Sequence, residues 1–196
     1  MMPTSAGPTP GVGHGPRDGE AYRYGVVDTT FSTIDMGAIA VATLHGQGIA
    51  PNRVLRRTVP GFKDLGVAAR RLIDLDGCDV VVACGMPGPE EIDKQCAHEA
   101  SQGIMLAQLL TGVHVLEVFV HMDEAEHDAE LAAITQNRVA EHAVNAYWLL
   151  ERPDELLRRA GTGQRQGFAD VGPASGGTTG LTGGPGGGSG GAAGAH

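Results

Sequence analysis

Four short apolar runs alternate with stretches whose apolar residues recur every three or four positions. The first run, Tyr22 to Val27, stops at Asp28-Thr29-Thr30. A helical pattern through Asp35, Met36, Ile39, Ala40 and Leu44 follows, closed by Gly46-Gln47-Gly48 and Pro51. The second run, Arg53 to Val59, alternates Val54, Arg56 and Thr58 against Leu55 and Arg57, and its arginines predict a sheet edge. A helix from about Asp64 to Leu75 carries Leu65, Ala68, Ala69, Leu72 and Ile73 at helical spacing, with Gly77 as its stop. The third run, Asp79 to Cys84, is apolar on both faces, as an interior parallel strand must be. After Gly85-Met86-Pro87-Gly88-Pro89, a long helix starts near Glu90 with Ile92, Cys96, Ala100, Ile104 and Ala107 as its expected buried stripe. Val113 to Val120 is the fourth strand, and Val139, Ala143, Ala146, Tyr147 and Leu150 mark the last helix.

This βα alternation with short connections predicts a flavodoxin-like α/β fold, a four-stranded parallel sheet of order 2-1-3-4 between two helical layers. Ligands of such sheets gather where strands end and helices begin. Those ends are Asp28 to Ser32, Pro60 to Asp64, Gly85 to Gly88 and Phe119 to Asp123. The chain has four phenylalanines, and three of them (Phe31, Phe62, Phe119) fall at these ends. Such rings would make a platform for a flat heterocycle; they would equally serve as caps on the core.

Composition narrows the outline. Residues 1–21 are dominated by Gly, Pro, Ser and Thr and residues 172–196 by Gly, so both read as mobile tails around a folded domain of residues 22–171. The formal charge is −9, and an acidic surface argues against a nucleic-acid partner. Three cysteines without C-x-x-C spacing, two of them (Cys78, Cys84) flanking a buried strand, predict a reduced cytoplasmic protein without disulfides or thiolate zinc. No segment approaches the length of an apolar membrane span, and the N-terminal stretch has no apolar signal core.

Six stretches together carry a resemblance. They are Gly25 to Phe31 (GVVDTTF), Arg57 to Leu65 (RTVPGFKDL), Gly85 to Gly88 (GMPG), Asp93 to Ser101 (DKQCAHEAS), Glu117 to His121 (EVFVH) and Gly163 to Phe168 (GQRQGF). In this order, across Tyr24 to Pro173, the chain resembles the archaeal-type riboflavin synthases, paralogues of lumazine synthase. The resemblance implies a homopentamer with sites between neighbouring subunits. It also implies a reaction in which one 6,7-dimethyl-8-ribityllumazine donates a four-carbon unit to another, giving riboflavin and 5-amino-6-ribitylaminouracil. No organic cofactor is implied; magnesium or manganese has been associated with the family, with no fixed metal site to carry over.

On that resemblance the substrate-binding residues are expected to be Thr30, Phe31, Ser32, Gly61, Phe62, Lys63, Asp64, Met86, Pro87, Gly88, Phe119 and Arg165, the last reaching a neighbour's substrate. Asp64 matches the acidic residue that binds ribityl hydroxyls in lumazine synthases; its plainer role is a carboxylate at a helix start. The reaction needs proton transfer from the acidic C7 methyl of lumazine, and the expected catalytic groups are His121 and Glu91. Glu91 stands where lumazine synthases carry a catalytic histidine, a departure that argues against lumazine synthase activity. His98 reads as an interior or interface histidine, and the run His121 to Asp128 as a solvated helix start rather than a metal cluster. The rival functions are lumazine synthase and a non-enzymatic flavin-binding protein of the same fold.

Overall fold

Burial decides the order of the strands. In the computed structural model, which describes residues 21–166 and 169–173, β1 (Tyr24–Thr29) and β3 (Val80–Gly85) are buried at every position. They lie side by side at the centre of a four-stranded sheet of order β2-β1-β3-β4. All pairings are parallel, with Tyr24 opposite both Val54 and Val80, and Val81 opposite Val115. The arginine-bearing β2 (Val54–Val59) takes one edge and β4 (Val115–Phe119) the other. The expected flavodoxin-like α/β arrangement is therefore the one adopted.

The two-residue period of β1 and β3 divides the core. Val26, Val82 and Cys84 face α1 (Met36–Gly46) and α4 (Asp128–Glu151), where Leu44, Val139, Ala143 and Ala146 are buried. Val27, Val81 and Ala83 face α2 (Leu65–Asp74) and α3 (Glu91–Thr111), packing with Leu65, Leu72 and Ile104. The Asp35 carboxylate caps α1 by accepting from the Ala38 amide at 2.9 Å. Gly77, at φ +71°, turns the chain out of α2 towards β3. At Gly66 a Cβ would stand 3.0 Å from the backbone of Gly103, so α2 and α3 approach each other main chain to main chain.

One expectation is corrected. Ile92 does not join the buried stripe of α3: it is 62% exposed, and Ala97 fills the place beside Ala100, Ile104 and Ala107. The last expected helix, marked by Val139 to Leu150, is α4, and a short α5 (Pro153–Arg159) follows it across a break before Pro153. The expectations about the tails lie outside the described residues, apart from 21, 172 and 173. No described helix is long and apolar enough to cross a membrane.

Candidate active site

The end of β1 is held rigidly before it offers anything to a ligand. Asp28, 3% exposed, pairs with the Arg56 guanidinium and accepts the Thr58 hydroxyl at 2.7 Å. Arg56 extends this bridge to Asp35, and Gly37 packs so closely on Arg56 and Asp28 that no side chain fits there. The Ala38 amide and Arg56 hold the Asp35 carboxyl below the usual carboxylate range. Beyond this brace the Thr30 hydroxyl donates to the Pro60 carbonyl at 3.3 Å, and the Thr29 and Ser32 hydroxyls share a hydrogen bond of 3.1 Å. Phe31 is thereby presented at the surface, 49% exposed.

Against Phe31 stands a 3-10 turn, Phe62–Asp64, that joins β2 to α2. Phe31 meets Phe62 edge-on with ring centres 5.6 Å apart, and Phe62 in turn meets Phe119 at 5.7 Å. A Cβ on Gly85 would lie 2.8 Å from Phe119 and 2.9 Å from Phe62, so the end of β3 needs glycine beneath these rings. The three rings do different work: Phe62 is buried, Phe119 packs against the same core cluster, and Phe31 keeps a free face.

These elements enclose a hollow of about 310 Å³ lined by Phe31, Gly61, Phe62, Lys63, Asp64, Asp93 and Cys96. Its volume suits one bicyclic heterocycle, and its walls combine ring faces with carboxylates and a thiol. Five of the expected binding residues are brought together here: Phe31, Gly61, Phe62, Lys63 and Asp64. Asp64 sits at the start of α2 without capping it through its side chain, which leaves the carboxylate available to hydroxyl groups. Lys63 is paired with Glu99 at 2.6 Å, and that carboxylate raises the lysine pKa.

Other expected residues stand elsewhere. Met86 turns into the α1 and α4 side of the core and accepts the Thr33 hydroxyl at its sulfur, 3.2 Å away. Pro87 is buried and its carbonyl accepts the Met122 amide at 2.9 Å. Gly88 is buried against the Asp93 carboxylate, where a Cβ would collide. Arg165 is exposed beyond α5, its amide donating to Asp170 at 2.9 Å; Gly167 and Phe168 of the same motif lie outside the described residues. Glu91 is an exposed first residue of α3. The His121 amide donates to Glu124 at 2.8 Å, and Glu124 is itself clamped by Arg138 at 2.5 Å. Burial pushes the Glu124 carboxyl up, but the Arg138 and His121 hydrogen bonds outweigh it and hold the pKa below its ordinary value.

Sequence reasoning missed Asp93 and Cys96 as pocket walls, although both lie in a stretch it singled out. The available signal was Gly88, whose missing side chain makes room for Asp93. Among the described residues no three His, Cys, Asp or Glu side chains gather as a preformed metal cluster. In the run His121 to Asp128, Asp123 is paired with Lys94 at 2.8 Å and Glu124 with Arg138.

Comparison with known proteins agrees with this geometry. Residues 21–153 match the family model for 6,7-dimethyl-8-ribityllumazine synthase. The chain is 52% identical over 153 residues to the riboflavin synthase of Methanothermobacter thermautotrophicus, covering 77% of this chain and 98% of that one. It is 45% identical over 151 residues to the riboflavin synthase of Archaeoglobus fulgidus, covering 77% and 97%. Against the 6,7-dimethyl-8-ribityllumazine synthase of Gemmatimonas aurantiaca the identity is 30% over 145 residues, covering 71% and 88%.

Proposed function

This chain belongs to the 6,7-dimethyl-8-ribityllumazine synthase family, and within it we propose that the protein is a riboflavin synthase. It converts two 6,7-dimethyl-8-ribityllumazine molecules into riboflavin and 5-amino-6-ribitylaminouracil by transfer of a four-carbon unit, with no organic cofactor. The observation that carries this reading is the 52% identity maintained over 98% of a riboflavin synthase. In the pocket, Phe31 stacks on the lumazine ring and Asp64 accepts from the ribityl hydroxyls. Holding two rings in register supplies much of the barrier reduction, so no covalent nucleophile is required.

The site is completed by a second subunit, and the assembly is a ring, a pentamer. Support comes from an apolar groove of about 210 Å³ between α2 and α3, lined by Gly66, Val67, Gly103, Leu106, Ala107 and Leu110. Leu106 and Leu110 are 55% and 60% exposed, and Lys63 lines both this groove and the pocket. A copy that covers the leucines therefore reaches the rim of the pocket at Lys63. The two buried thiols Cys78 and Cys84 suit the reducing cytoplasm.

Purified protein given 6,7-dimethyl-8-ribityllumazine as sole substrate should form riboflavin, followed by its absorbance, with a ring mass by light scattering. Formation of lumazine from its pyrimidine and four-carbon precursors instead would mean a lumazine synthase. Tight riboflavin binding with no turnover would mean a carrier. A Phe31→Ala variant should bind lumazine at least tenfold more weakly, because it loses the one aromatic face left open to the hollow.

A further inference from the structure

Helix α3 divides the polar residues near the strand ends into two sets. On its α2 flank are Asp93, Cys96 and the Lys63–Glu99 pair, which belong to the pocket. On its β4 flank are Lys94 with Asp123, Ser101 with Glu117, and Gln108 with the Val115 amide. Within one chain the helix separates Glu117 from the pocket.

Glu117 is unlike the other carboxylates packed at the sheet. Asp28, Glu124 and Glu151 each hold a guanidinium, from Arg56, Arg138 and Arg53. Glu117 is half-buried on β4 between Val115 and Phe119 on the same face, and its partner is the Ser101 hydroxyl at 2.9 Å. No lysine or arginine among the described residues pairs with it. The ionisable groups that face it are His98 from α3 and His121 from the segment after β4. His98 is exposed and bonded to Gln102 at 3.0 Å.

A closed ring is built from a heterologous contact, in which one flank of a subunit meets the opposite flank of the next. Cys96 on one flank of α3 and Ser101, which holds Glu117, on the other are about 7.5 Å apart along the helix axis, and both precede the exposed leucines in the chain. Below them, Leu106 and Leu110 are exposed on one flank and Met105 and Leu109 on the outer side towards the other, 52% and 82% exposed. If these apolar flanks meet in a ring, Glu117 would stand at the mouth of the neighbouring pocket.

We propose, resting on the riboflavin synthase reading, that Glu117 is the catalytic carboxylate that takes the C7-methyl proton of a lumazine held in the adjacent subunit's pocket. The methyl C–H bond breaks, an O–H bond forms at Glu117, and the electron pair stays in the heterocycle as a delocalised anion. The same carboxyl returns the proton when the products form, so no oxidant or reductant is needed. Burial raises the Glu117 pKa against the opposing pull of Ser101 and the two imidazoles, which makes the carboxylate a stronger base than one in water. Exposed Glu91 has no such environment.

The test uses wild-type and variant rings with lumazine as substrate. Wild-type that makes no riboflavin sinks the underlying reading, and this proposal with it. With wild-type active, Glu117→Gln should lower the single-turnover rate at least a hundredfold, leave lumazine affinity within a few-fold, and keep the ring mass. Rings co-assembled from Glu117→Gln and Phe31→Ala/Asp64→Asn subunits should recover activity that neither parent has, because some boundaries then join an intact pocket to an intact Glu117. A parent rate in Glu117→Gln, or no recovery in mixed rings, overturns the proposal. If Glu117→Gln fails to assemble, Glu117→Asp decides: a displaced acidic limb in its pH–rate profile supports the role, and an unchanged limb refutes it.

Discussion

Asp28 and Glu117 are carboxylates on strands of one sheet, and their surroundings differ in almost every respect. Asp28 stands on the central strand β1 with Arg56 and Thr58 as donors, in a network that extends to Asp35 and is sealed by Gly37. Glu117 stands on the edge strand β4 with one serine hydroxyl. The first arrangement ties the carboxylate to its donors and fixes the loop that presents Phe31. The second leaves a carboxyl that burial pushes towards protonation, beside two imidazoles. Degree of burial alone does not distinguish structural from reactive carboxylates; the identity of the donors does.

The strongest way to break this contrast is to unpair Asp28. Arg56→Ala leaves a charge that is 3% exposed with only Thr58 to support it. Because the arginine itself is 31% exposed, the expected loss is about 2–3 kcal/mol, read as a lower urea midpoint. Glu117→Gln should do the opposite and raise the midpoint at neutral pH. A carboxyl whose pKa is raised by folding contributes stability in acid that is lost as pH rises through its folded value. The amide does not ionise, so the gain should vanish below the ordinary glutamate pKa; a gain independent of pH would count against the desolvated carboxylate. Ser101→Ala removes the hydrogen bond that favours the charged form of Glu117. It should move the acidic limb of the rate profile to higher pH at a stability cost of about 1 kcal/mol. Smallest of all is Glu91→Gln, on an exposed residue, for which unchanged turnover and midpoint are expected; a large loss of turnover would return the proton-transfer role to the start of α3.

Much of the fold was legible because its strands announce themselves through burial. An unbroken apolar run could only be interior, and Arg56 and Arg57 on β2 could only be at an edge. The aromatic strand ends pointed to the right region, but periodicity could not tell which ring stays open: Phe62 and Phe119 are fixed by packing on the sheet, and Phe31 is open because its loop is braced outward. Met86 looked like a loop residue and is a core residue because the β3 end turns back under the Met122 segment. Glu117 was hidden in plain view. Its alternation with Val115 and Phe119 puts it on a covered face, and a charged residue at such a position was the signal to follow. Its role at a subunit boundary depends on which flank of α3 meets a neighbour, and no single-chain periodicity encodes that.

The backbone contact between Gly66 and Gly103 bears on how wide a ligand the pocket admits. Asp64 closes the turn that leads directly into α2, while Asp93 and Cys96 ride on α3. The clearance across the hollow is therefore governed by the distance between two rods, and that distance is already at its minimum where Gly66 touches the Gly103 main chain. The helices can be forced apart there but not drawn closer. A methyl group at position 66, which does not line the pocket, would act as a wedge whose displacement is transmitted along α2 and α3 to both walls. Selection for larger or smaller heterocycles would then act on interhelical spacers as readily as on residues that touch the ring.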